Sequence, residues 1–317
     1  MRIITGDEVG ALLDDRALIG ALRAMFVKGC ALPDRHHHTI PSDNAEPATL
    51  LLMPAWQSGG GPIGVKVVSV FPGNGALGLP AVMGNYMLLD GATGTPLALI
   101  DGQALTARRT AAASALAAEY LAVTDASRLL MVGTGALAPH LINAHASVRP
   151  ISQVDIWGRT PEKAEALARS LDRTGLAARA VTDLAESAKT AHIISCATLA
   201  KEPLIEGAWL RPGQHLDLVG GFTPEMREAD DEAIRRATVF VDTLAGATKE
   251  AGDITQPLAS GALNKDQIAG DLFALTRGEC NGRTGAEEIT VFKSVGTALE
   301  DLAAAQLAVE TLKETGI

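Results

Sequence analysis

Residues 129–140, LLMVGTGALAPH, leave the chain little freedom. An apolar strand runs straight into Gly133-x-Gly135-x-x-Ala138, and helix-compatible residues follow. The first glycine permits a tight turn, and the second lets the backbone approach a pyrophosphate, whose charge the N–H groups of the helix end can meet. Bare glycines are common, so the surroundings carry the weight. They read as strand and helix in alternation: RLLMVG, a helix from about 136, VDIWG, a helix from Pro161, AARAV, a short helix, and HIISCAT. HLDLVG (215–220) and TVFVDT (238–243) extend the series. Parallel strands need long crossovers, so this pitch predicts a parallel sheet covered by helices, with a dinucleotide on its first turn.

The second strand ends Ile156-Trp157-Gly158-Arg159-Thr160-Pro161. A carboxylate there would take the ribose 2′-hydroxyl of NAD. Its place is held by Arg159, which can pair with a 2′-phosphate, while Thr160 can cap the helix opened by Pro161 and donate to the same phosphate. NADPH is therefore expected over NADH, with NADH still accepted. A solvated charge is the plain alternative for Arg159, although a cation at a helix start opposes the dipole.

At 317 residues the chain predicts two domains. With 47% apolar and 20% charged residues, it can bury a sizeable core. A formal charge of −10 gives no reason to bind nucleic acid. No stretch reaches the ~18 apolar residues of a membrane span, and the acidic N-terminal stretch does not read as a signal peptide. Cys30, Cys196 and Cys280 lack metal or redox spacing and fit free thiols in a reducing cytoplasm.

Before the parallel-sheet region the texture differs. Residues 7–30 carry Val9, Leu12, Leu13, Leu18, Leu22 and Phe26 at helical spacing and predict one amphipathic helix. From 48 to 100, TLLLMPAW, IGVKVVSVF, AVMGNYMLLD and PLALI alternate with Gly/Pro turns and predict an antiparallel meander. An alanine-dominated helix follows at 105–123, thin enough for close packing. Residues 253–288 read as a loop-rich return, EEITVFKSVG as strand-like, and about 295–314 as a last helix that folds back onto the first domain.

Within IGVKVVSVF, Lys66 shares a face with Val68 and Val70, and the opposite face is also apolar. Held there, a lysine loses hydration, its pKa falls, and it becomes a proton donor or an anion anchor. An edge-strand lysine that deters aggregation is the plain alternative. Arg35 and Arg109 are two more cations near apolar segments, and the three converging would clamp one small carboxylate. In an extended strand only two of His36, His37 and His38 share a side, with no carboxylate or cysteine close in sequence, so no metal is expected.

The stretches GVKVVSVFPGN, TARRTAAASALAAEYL, LLMVGTGA, DLVGGFTPEMRE and ITVFKSVGTALEDLAAA, in this order, resemble the ornithine cyclodeaminase/mu-crystallin family over nearly the whole chain. The resemblance implies an α/β homodimer. A Rossmann-type doubly wound parallel sheet domain (114–290) would bind the nucleotide, and an α+β substrate and dimerisation domain would form from 1–113 and 291–317. Arg35, Lys66 and Arg109 match the family's substrate-carboxylate and catalytic cations. Gly133, Gly135, Ala136 and Leu137 fall at the phosphate loop, with Gly158, Arg159 and Thr160 at the ribose. Thr198 and Val219 to Gly221 line the cofactor, and Ser294 and Val295 fall beside nicotinamide and substrate. Where the family's cyclodeaminases place an aspartate after the glycine pair, this chain has Phe222. Together with the PDRHHH segment, that departure resembles the members that reduce cyclic ketimines, the Δ1-pyrroline-2-carboxylate reductases of trans-3-hydroxy-L-proline catabolism, and Phe222 would contact the ring. Another amino-acid dehydrogenase, a residual cyclodeaminase and a non-enzymatic NADPH and small-ligand binder remain the alternatives on this scaffold.

Overall fold

The computed structural model describes residues 1–42, 46–171 and 176–315. They form two compact units: residues 1–109 with 298 onward, and residues 110–297.

The first unit opens with β1 (Arg2–Ile4), α1 (Gly6–Leu12) and α2 (Asp15–Lys28). The single helix expected over 7–30 is thus two. Thr5 and Glu8 close a capping box at the start of α1. The chain leaves the helix at the buried Leu13, and Asp14 then caps α2 by accepting the N–H groups of Arg16 and Ala17, both at 3.0 Å. The strands β2 (His36–Ile40), β3 (Ala48–Trp56), β4 (Ile63–Val70), β5 (Val82–Leu89) and β6 (Pro96–Asp101) follow. They form a sheet of order β1-β6-β5-β4-β3-β2, antiparallel as expected except where β1 pairs parallel with β6. Register places Met53, Lys66, Tyr86 and Ile100 side by side across four strands. That row is buried, and the C-terminal helix (Ala298–Thr315) packs over this sheet and against α2. Successive side chains alternate faces, so Ile3, Pro54, Val65, Met87 and Leu99 lie in a row on the opposite side. Val67 on that side is 39% exposed and Met87 37%.

Helix α3 (Gly102–Leu121) begins in the first unit and ends in the second. Ala111, Ala112, Ala113, Ala115, Ala117 and Ala118 are all buried. The second unit then runs β7 (Arg128–Val132), α4 (Ala138–Val148), β8 (Gln153–Trp157), α5 (Pro161–Ser170), β9 (Ala177–Ala180), α6 (Leu184–Thr190), β10 (Ile193–Cys196) and β11 (His215–Leu218). It continues with α7 (Asp231–Arg236), β12 (Thr238–Val241), α8 (Leu244–Glu250), α9 (Gly252–Ser260), β13 (Ile268–Asp271), α10 (Leu272–Arg277) and β14 (Thr290–Lys293), and the C-terminal helix is α11. The stretch read as a loop-rich return therefore carries two helices and an edge strand, each too short to impose a clear period. All eight strands are parallel in the order β13-β12-β14-β11-β10-β7-β8-β9, so the chain builds outward from β7 in one direction and from β10 in the other. Because β14 lies inside this sheet, between β12 and β11, the chain returns to the first unit at Ala298 rather than at 291.

Buried polar groups in this sheet are stitched together. Asp217 accepts from Ser114 Oγ at 2.9 Å and Ser195 Oγ at 2.7 Å, and lies 3.1 Å from His145 Nε2. Burial drives the His215 imidazole down to about 3, so it stays neutral beside Thr290.

Candidate active site

In open parallel sheets the ligand crevice lies outside the carboxyl ends of the strands, where strand order reverses. Here that place is between β7 and β10. Gly133 has φ +119°, and a Cβ on it would come 2.5 Å from the carbonyl oxygen of Ala197, so only glycine fits. A Cβ on Gly135 would meet nothing within 4 Å, which leaves an open approach to the backbone. Leu137, at the N-cap of α4, makes no side-chain capping bond, Pro139 in the first turn has no N–H, and the Ala138 N–H donates to the Gly135 carbonyl at 3.1 Å, which closes the turn onto the helix start. This arrangement fits a pyrophosphate. Ala136 lies between these positions, in the turn before α4. Gly158, at the end of β8, packs against Thr134, and a Cβ there would meet Thr134 Cγ2 at 2.7 Å. Arg159 and Thr160 are exposed, and no ion pair among the described residues engages Arg159. Thr160 stands at the N-cap of α5, but its side chain makes no capping bond, contrary to expectation.

Around the same crevice Thr198 follows β10, Val219 to Gly221 follow β11, and Ser294 with Val295 follows β14. Glu228 holds the first two of these loops. Its Oε1 accepts the Thr198 N–H at 2.7 Å and the Thr198 hydroxyl at 2.8 Å, and its Oε2 accepts the Gly220 N–H at 2.8 Å. The Val295 and Gly296 N–H groups donate to Asp242 Oδ2 at 2.7 and 2.6 Å. Ser294 is buried, whereas Phe222 is 49% exposed.

The first unit supplies a second constellation. Lys66 Nζ lies 2.7 Å from Asp301 Oδ2, and Arg109 donates from Nε to Asp301 Oδ1 at 3.0 Å and from Nη1 to Glu300 Oε2 at 2.7 Å. All four side chains are buried. Burial is the largest influence on Lys66, partly offset by Asp301 and reinforced by Arg109, and leaves its ammonium with a pKa of about 8. Arg35, just ahead of β2, adds its charge to the field at Lys66. Asp301 is held below the usual carboxylate range: its own burial opposes this, and Arg109 and Lys66 together outweigh it. Tyr86 lies over Gly64, and its buried hydroxyl titrates well above the usual value through burial and the charge of Asp301.

Lys66 and Arg109 thus come together as expected, but on two carboxylates of α11 that sequence reasoning did not single out. A signal was present: Glu300 and Asp301 interrupt an otherwise apolar helix start, where two buried cations elsewhere lacked counter-charges. His36, His37 and His38 lie on the exposed edge strand β2, with the rings of His36 and His38 6.3 Å apart.

The model of the ornithine cyclodeaminase/mu-crystallin family matches residues 7–316. The Δ1-pyrroline-2-carboxylate reductase of Colwellia psychrerythraea is 38% identical over 318 residues, covering 99% of this chain and 100% of the relative. Among solved structures, Thermococcus litoralis Δ1-pyrroline-2-carboxylate reductase in complex with NADH and L-proline superposes with a TM-score of 0.92 at 32% identity, covering 100% of this chain and 99% of that one. An archaeal alanine dehydrogenase dimer with bound NAD gives 0.90 at 27% identity, over 100% of this chain and 97% of its own. Match and relatives span essentially all of both sheets, and the chain belongs to the ornithine cyclodeaminase/mu-crystallin family.

Proposed function

We propose that the protein is a nicotinamide-dependent reductase of cyclic ketimine carboxylates. It takes Δ1-pyrroline-2-carboxylate to L-proline, and the six-membered Δ1-piperideine-2-carboxylate to L-pipecolate, with NADPH preferred and NADH accepted. The observation that carries this reading is Lys66: a buried lysine titrating near 8 beside a carboxylate is charged at neutral pH, yet can give up its proton. The likeness to reductases named for this imine supports the same choice.

The second unit binds the nucleotide through the turn Gly133 to Leu137, with Gly158, Arg159 and Thr160 at the ribose and Thr198, Val219, Gly220 and Ser294 at the nicotinamide. A bound nicotinamide supplies the hydride that reaches C2 of the imine. In the first unit, Arg35, Lys66 and Arg109 bind the substrate carboxylate, and Lys66 gives the ring nitrogen its proton, directly or through a water. Protonation makes C2 electrophilic, and fixed orientation supplies much of the rate. Phe222 and Val295 offer apolar contact to the ring methylenes, where a cyclodeaminase would need a carboxylate for the second amine. The natural setting is breakdown of trans-3-hydroxy-L-proline in the cytoplasm, where Cys30, Cys196 and Cys280 stay free thiols.

The same reading makes the protein a homodimer, and the open side of the six-stranded sheet, where Val67 and Met87 are exposed, is the face it would use.

The test follows nucleotide oxidation at pH 8.0 and below with the cyclic imine and with pyruvate plus ammonia, and follows ammonia release from ornithine with NAD+ present, a conversion that leaves the nucleotide unchanged overall. The imine should be turned over fastest. Lys66→Met should lower turnover by about 10² or more while nucleotide binding stays near wild type. A preference for pyruvate or ornithine, or a fully active Lys66→Met, rules the reading out.

A further inference from the structure

Glu228, Asp253 and Lys293 are all completely buried beneath the carboxyl ends of the parallel strands, and neither substrate chemistry nor nucleotide contact accounts for them. Lys293 Nζ faces Asp253 Oδ2 at 3.1 Å, and Asp253 Oδ1 accepts the N–H groups of Glu228 at 2.7 Å and Ala229 at 3.2 Å. Glu228 in turn takes three donors from two different loops: both donors of Thr198, and the N–H of Gly220. The loops are seated on this cluster with no space to spare. A Cβ on Gly220 would come 2.0 Å from the Thr198 carbonyl oxygen and 2.6 Å from Glu228 Oε1, and one on Gly221 would come 2.8 Å from Asp253 Oδ2. The segment that bears Val219 and Phe222 therefore has one fixed height above the sheet.

We infer that Glu228, seated on the Lys293–Asp253 pair, is a positioning residue whose ionised carboxylate sets the loops after β10 and β11 for nucleotide binding. The inference rests on the proposal that these loops hold the nicotinamide. Its physical content is a count of acceptors. An ionised carboxylate offers acceptors on both oxygens, and all three donors are met. A proton on Oε2 points a donor at the Gly220 N–H, and a proton on Oε1 keeps the Thr198 hydroxyl only by reversing that bond; in both forms the bonds to the loops lose the charge that strengthens them. Protonation therefore loosens the tethers.

The proton is available near neutrality. Burial raises the Glu228 carboxyl to about 7, with Lys293 opposing and Asp253 adding to the rise, and the Thr198 bonds holding it from going further. The other ionisable groups facing the cluster are Asp242 at the end of β12, also raised by burial, and the Cys196 thiol on β10, which burial keeps protonated. Ionised Glu228 is the binding-competent form, so it is depleted as pH falls through its pKa. The apparent nucleotide dissociation constant then rises in inverse proportion, by about tenfold at one unit below.

NADH is the probe, because its pyrophosphate does not titrate across this range as a 2′-phosphate does. Fluorescence titration of the intact protein from pH 8.5 to 5.5 should give a dissociation constant that is flat above 7.5 and about tenfold weaker at 6. Glu228→Gln, which points an amide donor at one loop permanently, should bind NADH weakly at pH 8 and lack the acid limb. It should raise the KM for NADH far more than it lowers kcat at saturation. Thr198→Val removes one donor that favours the ionised form, so it should move the limb to higher pH, and it keeps the test open if Glu228→Gln folds poorly. Glu228→Gln with wild-type affinity, or an acid limb that persists in it or stays unmoved in Thr198→Val, overturns the inference alone. A wild-type protein that binds neither NADH nor NADPH at pH 8 overturns the functional reading, and this inference with it.

Discussion

Replacing Asp301 by asparagine removes the charge that keeps Lys66 protonated while changing its volume little. Asp301 Oδ2 stands 2.7 Å from Lys66 Nζ and is the largest influence raising the pKa of that lysine, which burial and Arg109 both push down. An opposite charge this close commonly moves a pKa by about 1–3 units, so Asp301→Asn should bring Lys66 from about 8 to near 6. A proton donor must carry its proton, so activity falls as pH rises through that value. At pH 7.5 the protonated fraction drops from about three-quarters to about 3%, which predicts roughly 25-fold slower turnover that recovers toward pH 5.5. The assay is kcat with saturating cyclic imine and NADPH across pH 5.5 to 9.5, beside melting curves at each pH. Near pH 5.5, where Lys66 is still charged in the variant, only Glu300 remains beside the two buried cations, and it pairs with Arg109, so a stability loss of about 3–5 kcal/mol is expected there, part of which Lys66→Met in the same chain should restore. A uniform loss of rate with the alkaline limb still near 8 would refute the assignment of Lys66 as donor under Asp301 control.

Two further perturbations separate the remaining proposals. Arg159→Asp should raise the KM for NADPH far more than that for NADH, by about tenfold or more for loss of a charge-assisted pair with a 2′-phosphate; equal changes in both would show that Arg159 does not read the phosphate. Val67→Asp, placed on the open side of the first sheet, should turn a dimer measured by light scattering into a monomer at micromolar concentration, and a wild-type protein that is already monomeric would remove the homodimer from the proposal.

The architecture was legible wherever the hydrophobic period was long enough to read. Strand and helix alternation from Arg128 to Leu218 shows because the strands are short and mostly apolar, β7 and β10 nearly without interruption, and helix-length segments separate them. The meander from Ala48 to Asp101 shows because Gly and Pro punctuate it. The break at Leu13 and Asp14 did not show, since Leu13 keeps helical phase and an acid there reads equally well as interior or cap. The elements between Gly252 and Arg277 did not show, being four to nine residues long. At the candidate site, Lys66 and Arg109 betrayed themselves as cations in apolar surroundings. Their counter-charges stayed hidden, because acids in a first helical turn are ordinary companions of the dipole and need no partner to explain them. Lys293 was hidden for a similar reason: it ends a strand in a phrase that family likeness already accounts for.

Both carboxylates that neutralise Lys66 and Arg109 lie 191 and 192 residues after the second of those cations, on the C-terminal helix. During synthesis the ribosome must therefore deliver the whole nucleotide unit before the first unit can close over its buried charges. Until then Lys66 and Arg109 have strong reason to stay in water, which delays burial of the strand row that holds Lys66. A chain released short of Asp301 would carry a complete parallel sheet and an unfinished partner, so nucleotide capture could emerge before any capacity to reduce an imine.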